Sequence, residues 1–455
     1  MTLLPQSLAG AVCAVEGVRG AVALLHGSTG CKFHLAALVE QQDPREVARA
    51  PLVGSVLQLY GQSRVPCTDI WAEDLVFGGE AKLEQALDTL LGDDSPEAAE
   101  LVAVIASSPL AAIGDDLQGL IASARGRAAR AGVRPIQVVA VDGGGLVGGA
   151  AEGFQRATRS LVREVARPDA PRRPETVNLL GLSVMHPRWS DDVAELRRML
   201  RAIGVEVNAV LTAGATLDEI RRLGAADLNV VIHAEYGAGL ARELGRLFHQ
   251  PNVGAEGLAP IGLANSEAWL RAVGEALGLP SGRIAAALDG ERSLVLRRML
   301  PALSALDRTA PLKGRSAAIF GEAGPAAALA TFLTEYLGIE VVLLGLDSNG
   351  AAALAQVRRL EELIGPVPSV KWRTDLTAVR DALAEARPNL VFGGSFERAA
   401  AADAGLPACC HVDFGYPLWH RTVLTERPVL GYRGTLALVE DVLNAAAGCS
   451  PERVI

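Results

Sequence analysis

The chain has 455 residues, half of them apolar and 21% charged, so it can bury large cores and is too long for one. Roughly two to four domains are expected. A formal net charge of -9, with no basic patch interleaved with aromatics, excludes broad binding to nucleic acid or to anionic membranes.

The opening MTLLPQSLAGAVCAVEG has neither the basic start nor the long apolar core of a secretory signal, and no window approaches 18 uninterrupted apolar residues. A soluble cytoplasmic protein is expected. Six cysteines, at 13, 31, 67, 409, 410 and 449, are too sparse for a disulfide framework, and a reducing compartment would keep them as thiols. Three of them fall within the first 67 residues, as a metal site would require and as buried apolar thiols also would.

Gly17 to Lys32, GVRGAVALLHGSTGCK, organises the first unit. An apolar strand, Ala21 to Leu25, enters a His-Gly-Ser-Thr-Gly turn that presents Cys31 at the mouth of a helix. After a variable segment, 40–64, come Val65-Pro-Cys-Thr-Asp-Ile and AEDLVFGGEAKLEQALDTLL. There Val76 to Gly79 are expected to end an extended piece, and Glu80 to Leu91 have helical spacing. LVAVIAS (101–107) and PIQVVAVD (135–142) are strands, each followed by a helix. RPDAPRRPE (167–175), with three prolines and dense charge, is the best linker.

VNLLGLSV, VEVNAVLT and LNVVIHA then alternate with helices as a parallel sheet requires, and 266–306 is mostly helical. SAAIFGE, EVVLLGLD, a strand at Val370 and NLVFGGS repeat the pattern before a loop and a terminal helix. The fold class is therefore α/β with three doubly wound, Rossmann-like domains of parallel sheets, at 1–170, 171–312 and 313–455. Clefts are expected at the carboxyl ends of the strands.

Gly143 to Gly148 satisfy G-x-G-x-x-G between a strand and a helix, and Glu164 lies some twenty residues on. That acid should end a second strand, yet it falls in a helix, so a tight packing turn is the better reading. No Walker lysine motif occurs, so no ATP hydrolysis by this chain is expected. In the HGSTG turn, Gly27 and Gly30 would let backbone N–H groups approach a bulky inorganic group such as an iron–sulfur cluster, or would serve a plain strand-to-helix turn. Cys409 and Cys410 are adjacent, point opposite ways in extended chain and are read as core packing; Cys449 carries no signal.

Nine stretches in order resemble the nitrogenase component 1 family along nearly the full length: PQSLAGAVCAVEGVRGAVALLHGSTGCK, EDLVFGGEAKL, ASSPLAAIGDDL, VNLLG, IGVEVN, LNVVIHA, AIFGEAG, NLVFGGSFER and RPVLGYRGTL. The resemblance puts the second cluster cysteine on Cys31. The first falls near Pro5 or Gln6, with Cys13 seven or eight positions late, and the third falls on Ser108. The usual half-site of three thiolates is thus incomplete. Either Cys31 alone joins a partner's ligands around a four-iron cluster, or Cys13, Cys67 and Ser108 complete an unusual half-site, serine alkoxide being a hard donor for oxidised iron. In catalytic subunits of the family a cysteine and a histidine hold an active-site metallocofactor. Those positions fall near His233 and His411, but the tail FGYPLWHR resembles the β-type subunit, which holds none.

The resemblance implies a β-type oxidoreductase subunit paired with a homologous α-type chain, as an α2β2 heterotetramer. It implies a shared iron–sulfur cluster (4Fe-4S or P-cluster-like) held by Cys31, an active-site metallocofactor in the partner, and a separate ATP-hydrolysing iron–sulfur reductase protein that supplies electrons. The leading substrate reading is the carbon–sulfur bond of methylthio-alkanes. A scaffold for nitrogenase cofactor assembly and a tetrapyrrole reductase subunit are the alternatives.

Overall fold

A computed structural model describes residues 6–32, 35, 65–93, 98–141, 148–307, 311–373 and 375–448. The variable segment 40–64, the heart of the 143–148 glycine run and Cys449 lie outside the described residues.

Three parallel sheets follow one another along the chain. The first holds β1 (Ala21–His26), β2 (Leu101–Ala106) and β3 (Gln137–Val141) in that order. The second, ordered β5-β4-β6-β7, holds β4 (Arg173–Leu180), β5 (Glu206–Leu211), β6 (Ala226–Val231) and β7 (Asn252–Val253). The third, ordered β10-β9-β8-β11-β12, holds β8 (Ser316–Gly321), β9 (Glu340–Leu346), β10 (Val370–Trp372), β11 (Leu390–Gly393) and β12 (His411–Asp413). Every residue of β2, LVAVIA, is buried, as in a sheet covered by helices on both faces. The orders of the second and third sheets reverse beside β4 and β8, which opens a crevice at their carboxyl ends.

Local sequence starts the helices. Asp116 accepts the Gly119 N–H at 2.9 Å and opens helix Leu117–Arg130; Asp375 does the same for Leu376–Ala386 through the Ala378 N–H. Thr216 and Glu219 form a reciprocal capping box. A row of buried amides, Asn208 to Asn178 to Asn229 to Gln250, with links of 2.8, 2.9 and 3.1 Å, crosses the second sheet. A one-residue slip would leave these groups unpaired, so the row fixes the register.

The terminal helix Gly431–Gly448 reaches back to the second sheet's layer. Asp192 accepts the Val429 and Leu430 N–H groups at 2.7 and 2.8 Å, and Glu195 accepts the Arg433 N–H. Two expectations need correcting. Residues 74–77 form one helical turn, Asp74–Phe77, instead of an extended end; the Asp74 carboxylate accepts the Trp71 N–H and the Lys82 ammonium at 2.7 and 2.6 Å, and Gly78 at φ 95° ends the turn. Cys409 is disulfide-bonded, so the cysteines are not all thiols; sparseness argues against a framework and not against a single bridge. The pair lies in a 3-10 turn, Ala408–Cys410, and not in extended chain; Cys410 faces the core at 2% exposure and Cys409 is half-buried. Among the described residues no helix is long and apolar enough to cross a membrane.

Candidate functional site

At the end of β1 the His26 side chain is fully buried, and it ties three loops together. Its Nδ1 lies 3.0 Å from Thr68 Oγ1 and its Nε2 2.9 Å from Asp115 Oδ2. Thr68 Oγ1 also accepts the Gly27 N–H at 3.1 Å. Burial pushes the imidazole below its ordinary pKa, against the pull of Asp115. A neutral ring has one donor and one acceptor, so Nε2–H donates to Asp115 and the Thr68 hydroxyl donates to Nδ1. A Cβ at Gly27 would sit 2.9 Å from the Ser107 Cβ, whereas one at Gly30 would meet nothing within 4 Å. Gly27 therefore serves packing. Gly30 faces open space.

Cys31 is half-buried beyond that turn, and the Ser28 hydroxyl donates to its Sγ at 3.5 Å. Cys67, also half-buried, bridges Leu25 on β1, and its Sγ is 3.9 Å from Thr29 Oγ1. Ser108 opens the helix Ser108–Ile113 at the end of β2, one residue past the Ser107 N–H that bonds the His26 carbonyl. Cys31, Cys67 and Ser108 thus share the carboxyl end of the first sheet. Cys13 does not join them: it is 1% exposed in the helix Ser7–Glu16, within an apolar core. A cluster needs thiolates that can meet inorganic iron. Cys31, beside the open space at Gly30, fits that need, and Cys67 is a half-buried free thiol at the same end of the sheet.

The same edge carries an exposed apolar face. Phe77, Val76 and Trp71 are 89%, 75% and 66% exposed, and Ile113 joins them from the helix before Asp115. Trp71 Nε1 donates to Asp69 at 3.1 Å, and Thr29 donates to the same carboxylate. The apolar face and the Cys31 turn are therefore one hydrogen-bonded unit. A groove of about 440 Å³ lined by Cys67, Asp69 and Lys82 opens beside it.

A second group of polar side chains lies where the second and third sheets meet. The His186 and His233 rings lie 4.3 Å apart, tilted at 55° to each other, and His186 Nε2 is 3.2 Å from Glu322 Oε1. Burial, with His186 beside it, drives His233 down to about 3. Burial and the neighbouring Glu322 push Glu235 up to about 8, although it accepts the Gly324 N–H at 3.1 Å. Burial alone would raise Glu322, but His186, His233 and the Tyr236 hydroxyl together hold that carboxyl low. Asp347 rises to about 6 through burial, despite Arg373. The space here is about 60 Å³, room for a few waters and not for a metallocofactor.

His411 is absent from this crevice. It lines a separate cavity with His420 in the third sheet's layer, so His233 and His411 do not share one site. Sequence reasoning missed His186, Glu235 and Glu322; each follows within a few residues the end of a recognised strand, which was the available signal.

A family model described as nitrogenase component 1 type oxidoreductase matches residues 7–447. A light-independent protochlorophyllide reductase subunit from Halorhodospira halophila (strain DSM 244 / SL1) is 34% identical over 264 residues, 57% of this chain and 47% of that protein. The subunit of the same name from Methylobacterium sp. (strain 4-46) is 33% identical over 300 residues, 65% and 55% of the two chains. The chain spans about half the length of the curated relatives it matches. The solved structure "Nitrogenase Cp1 at pH 6.5" superposes with a TM-score of 0.79 over 98% of this chain and 93% of that one, at 19% identity, a likeness of fold.

Proposed function

Because the chain belongs to the nitrogenase component 1 type oxidoreductases, we propose that it is the β-type subunit of a nitrogenase-like reductase complex, holding with Cys31 an iron–sulfur cluster at the seam with a homologous α-type chain. The observation that carries this is the half-buried Cys31 thiol at a glycine turn hydrogen-bonded to an exposed apolar face. Apolar surface of that kind, on an edge otherwise hydrogen-bonded, marks a protein interface. The cluster, when bound, supplies one-electron transfer.

The chain's own residues prepare the seat. Cys31 supplies a thiolate, with Cys67 and Ser108 as the candidates for further donors. Ser28 and Thr29 place hydroxyls beside the sulfurs, and the His26 relay holds the three contributing loops in one arrangement. An ATP-hydrolysing iron–sulfur protein would deliver the electrons, and the reduction itself would occur in the partner. Two substrate readings follow from different grounds. Carbon–sulfur bonds of methylthio-alkanes fit a reductase whose thiolate set departs from that of nitrogenase. A tetrapyrrole is the alternative that the relatives' names suggest, since they are named as protochlorophyllide reductase subunits.

The test is anaerobic purification of the complex through a tag on this chain, with iron analysis and electron paramagnetic resonance. A brown complex whose cluster signal is lost or altered in Cys31→Ala supports the reading; a colourless, iron-free complex overturns it. Turnover of a thioether or of protochlorophyllide by the same preparation separates the substrates.

A further inference from the structure

β12 is the edge strand of the third sheet, paired to β11 with His411 opposite Val391 and Asp413 opposite Gly393. Residues two apart on a strand share a face, so His411 and Asp413 project together while Val412 enters the core at 2% exposure. The chain then turns back and brings His420 over the same face. His420 Nε2 lies 2.7 Å from Asp413 Oδ1, and His411 Nε2 lies 3.5 Å from the same oxygen. One ligand atom from each of the three falls within 4.8 Å of the others, the one such group among the described residues.

Two details distinguish this trio from an ordinary surface ion pair. The His411 side chain is 2% exposed, yet its Nδ1 has no hydrogen-bond partner and its Nε2 has only the long 3.5 Å approach to Asp413. A buried imidazole normally satisfies at least one. The second oxygen of Asp413 and the second nitrogen of His420 are already occupied: Arg421 donates to Asp413 Oδ2 at 2.9 Å, and Ser395 Oγ, held by the Trp419 N–H at 2.8 Å, lies 2.8 Å from His420 Nδ1. The atoms left facing one another are His411 Nε2, His420 Nε2 and Asp413 Oδ1. Metal ligands are commonly oriented by such outer contacts.

We propose that His411, Asp413 and His420 bind a mononuclear divalent first-row transition-metal ion, separate from the Cys31 site. Two imidazoles and one carboxylate suit zinc or ferrous iron better than calcium or magnesium, which take oxygen ligands. With bonds of about 2.0 Å, tetrahedral ligand atoms stand roughly 3.3 Å apart. His411 is already at that separation from Asp413, and a small rotation of the partly exposed His420 ring would open its own. The two histidines border a cavity of about 320 Å³, with Arg398, Ala402 and Leu406 on its far walls. Three protein ligands beside an accessible cavity leave a position for water or a small ligand, the pattern of an open metal site.

The test equilibrates the chelator-treated intact complex with zinc sulfate and reads zinc content, affinity and the zinc X-ray absorption edge, to which cluster iron is silent. One zinc per chain with imidazole scattering is expected. His420→Ala should lower the affinity at least tenfold, Ser395→Ala by about 10–100-fold, and Cys31→Ala should leave it unchanged. His420 is accessible, so its replacement keeps the fold; a zinc-induced rise in melting temperature in the parent and none in His420→Ala gives a second readout. No zinc uptake, or uptake equal in the parent and His420→Ala, overturns the proposal and leaves His420 as a plain ion-pair partner of Asp413.

Discussion

His26 Nε2 and Asp115 Oδ2, 89 residues apart, stand 2.9 Å from each other at the carboxyl end of the first sheet. The pair joins the HGSTG turn to the Ile-Gly-Asp-Asp loop, and Thr68 on the other ring nitrogen joins both to the Cys67 loop. The segments bearing Cys31, Cys67 and Ser108 thus keep their relative positions through one neutral imidazole.

Replacing His26 by Ala should leave buried Thr68 and Asp115 groups unpaired. The cost is about 1–3 kcal/mol, read as a lower denaturation midpoint. If the relay positions the cluster seat, iron content falls in the same variant.

Gly27 and Gly30 should behave oppositely. Gly27→Ala drives a methyl to 2.9 Å from the Ser107 Cβ and should destabilise by about 1–3 kcal/mol. Gly30→Ala meets nothing and should change the melting temperature little, while lowering iron content if the open space holds the cluster. Equal iron content in Gly30→Ala and parent would argue that the cluster does not occupy that space.

Glu235 should make stability fall with rising pH. Its folded pKa, about 8, is raised above the ordinary 4.5 by burial and by Glu322. Its contribution is full below about pH 4.5 and is lost as pH rises through 8. Buried His233, lowered to about 3 by burial, acts in the other direction, costing stability as pH falls from about 6.5 toward 3. Denaturant melts between pH 7 and 8.5 isolate the glutamate: the parent should weaken relative to Glu235→Gln by up to about 1.4 kcal/mol per pH unit, and parallel profiles would contradict the assignment.

The Arg373 guanidinium is 2% exposed, 2.8 Å from Asp347 and 2.6 Å from Glu397. Arg373→Ala would leave buried Glu397 and half-buried Asp347 without their cation, so a loss of about 3 kcal/mol is expected, measured by chemical denaturation.

Phe77 is 89% exposed, so Phe77→Asp should leave the isolated chain's melting temperature within about 1 °C. If this face meets the partner, the substitution should shift the complex toward free chains on gel filtration. An unchanged assembly would place the interface elsewhere.

Much of this protein could be read from its sequence. Continuous apolar runs such as LVAVIA, alternating with amphipathic stretches, specify buried parallel strands and covering helices, because such runs suit only a sheet covered on both faces. The glycine turn before Cys31 was legible for the same local reason, and so was the helix Glu80–Leu91. Other features were decided by tertiary structure. Cys13 lies near an expected ligand position but is sealed inside a core on a helix, and Asp74 overrode the extended reading that ended at 76–79 through its contacts with Trp71 and Lys82. Glu322 meets His186 across 136 residues, and His420 returns to Asp413 only because the loop after β12 turns back over its own strand. Periodicity encodes which face of an element is buried; it carries no information on which distant loop will cover that face. The sequence alone therefore determined the layered α/β architecture and the thiol at its first turn. The convergence of polar groups in the crevice and around His411 was set by the packing of sheets against one another, where burial makes each charge depend on neighbours the chain supplies from far away.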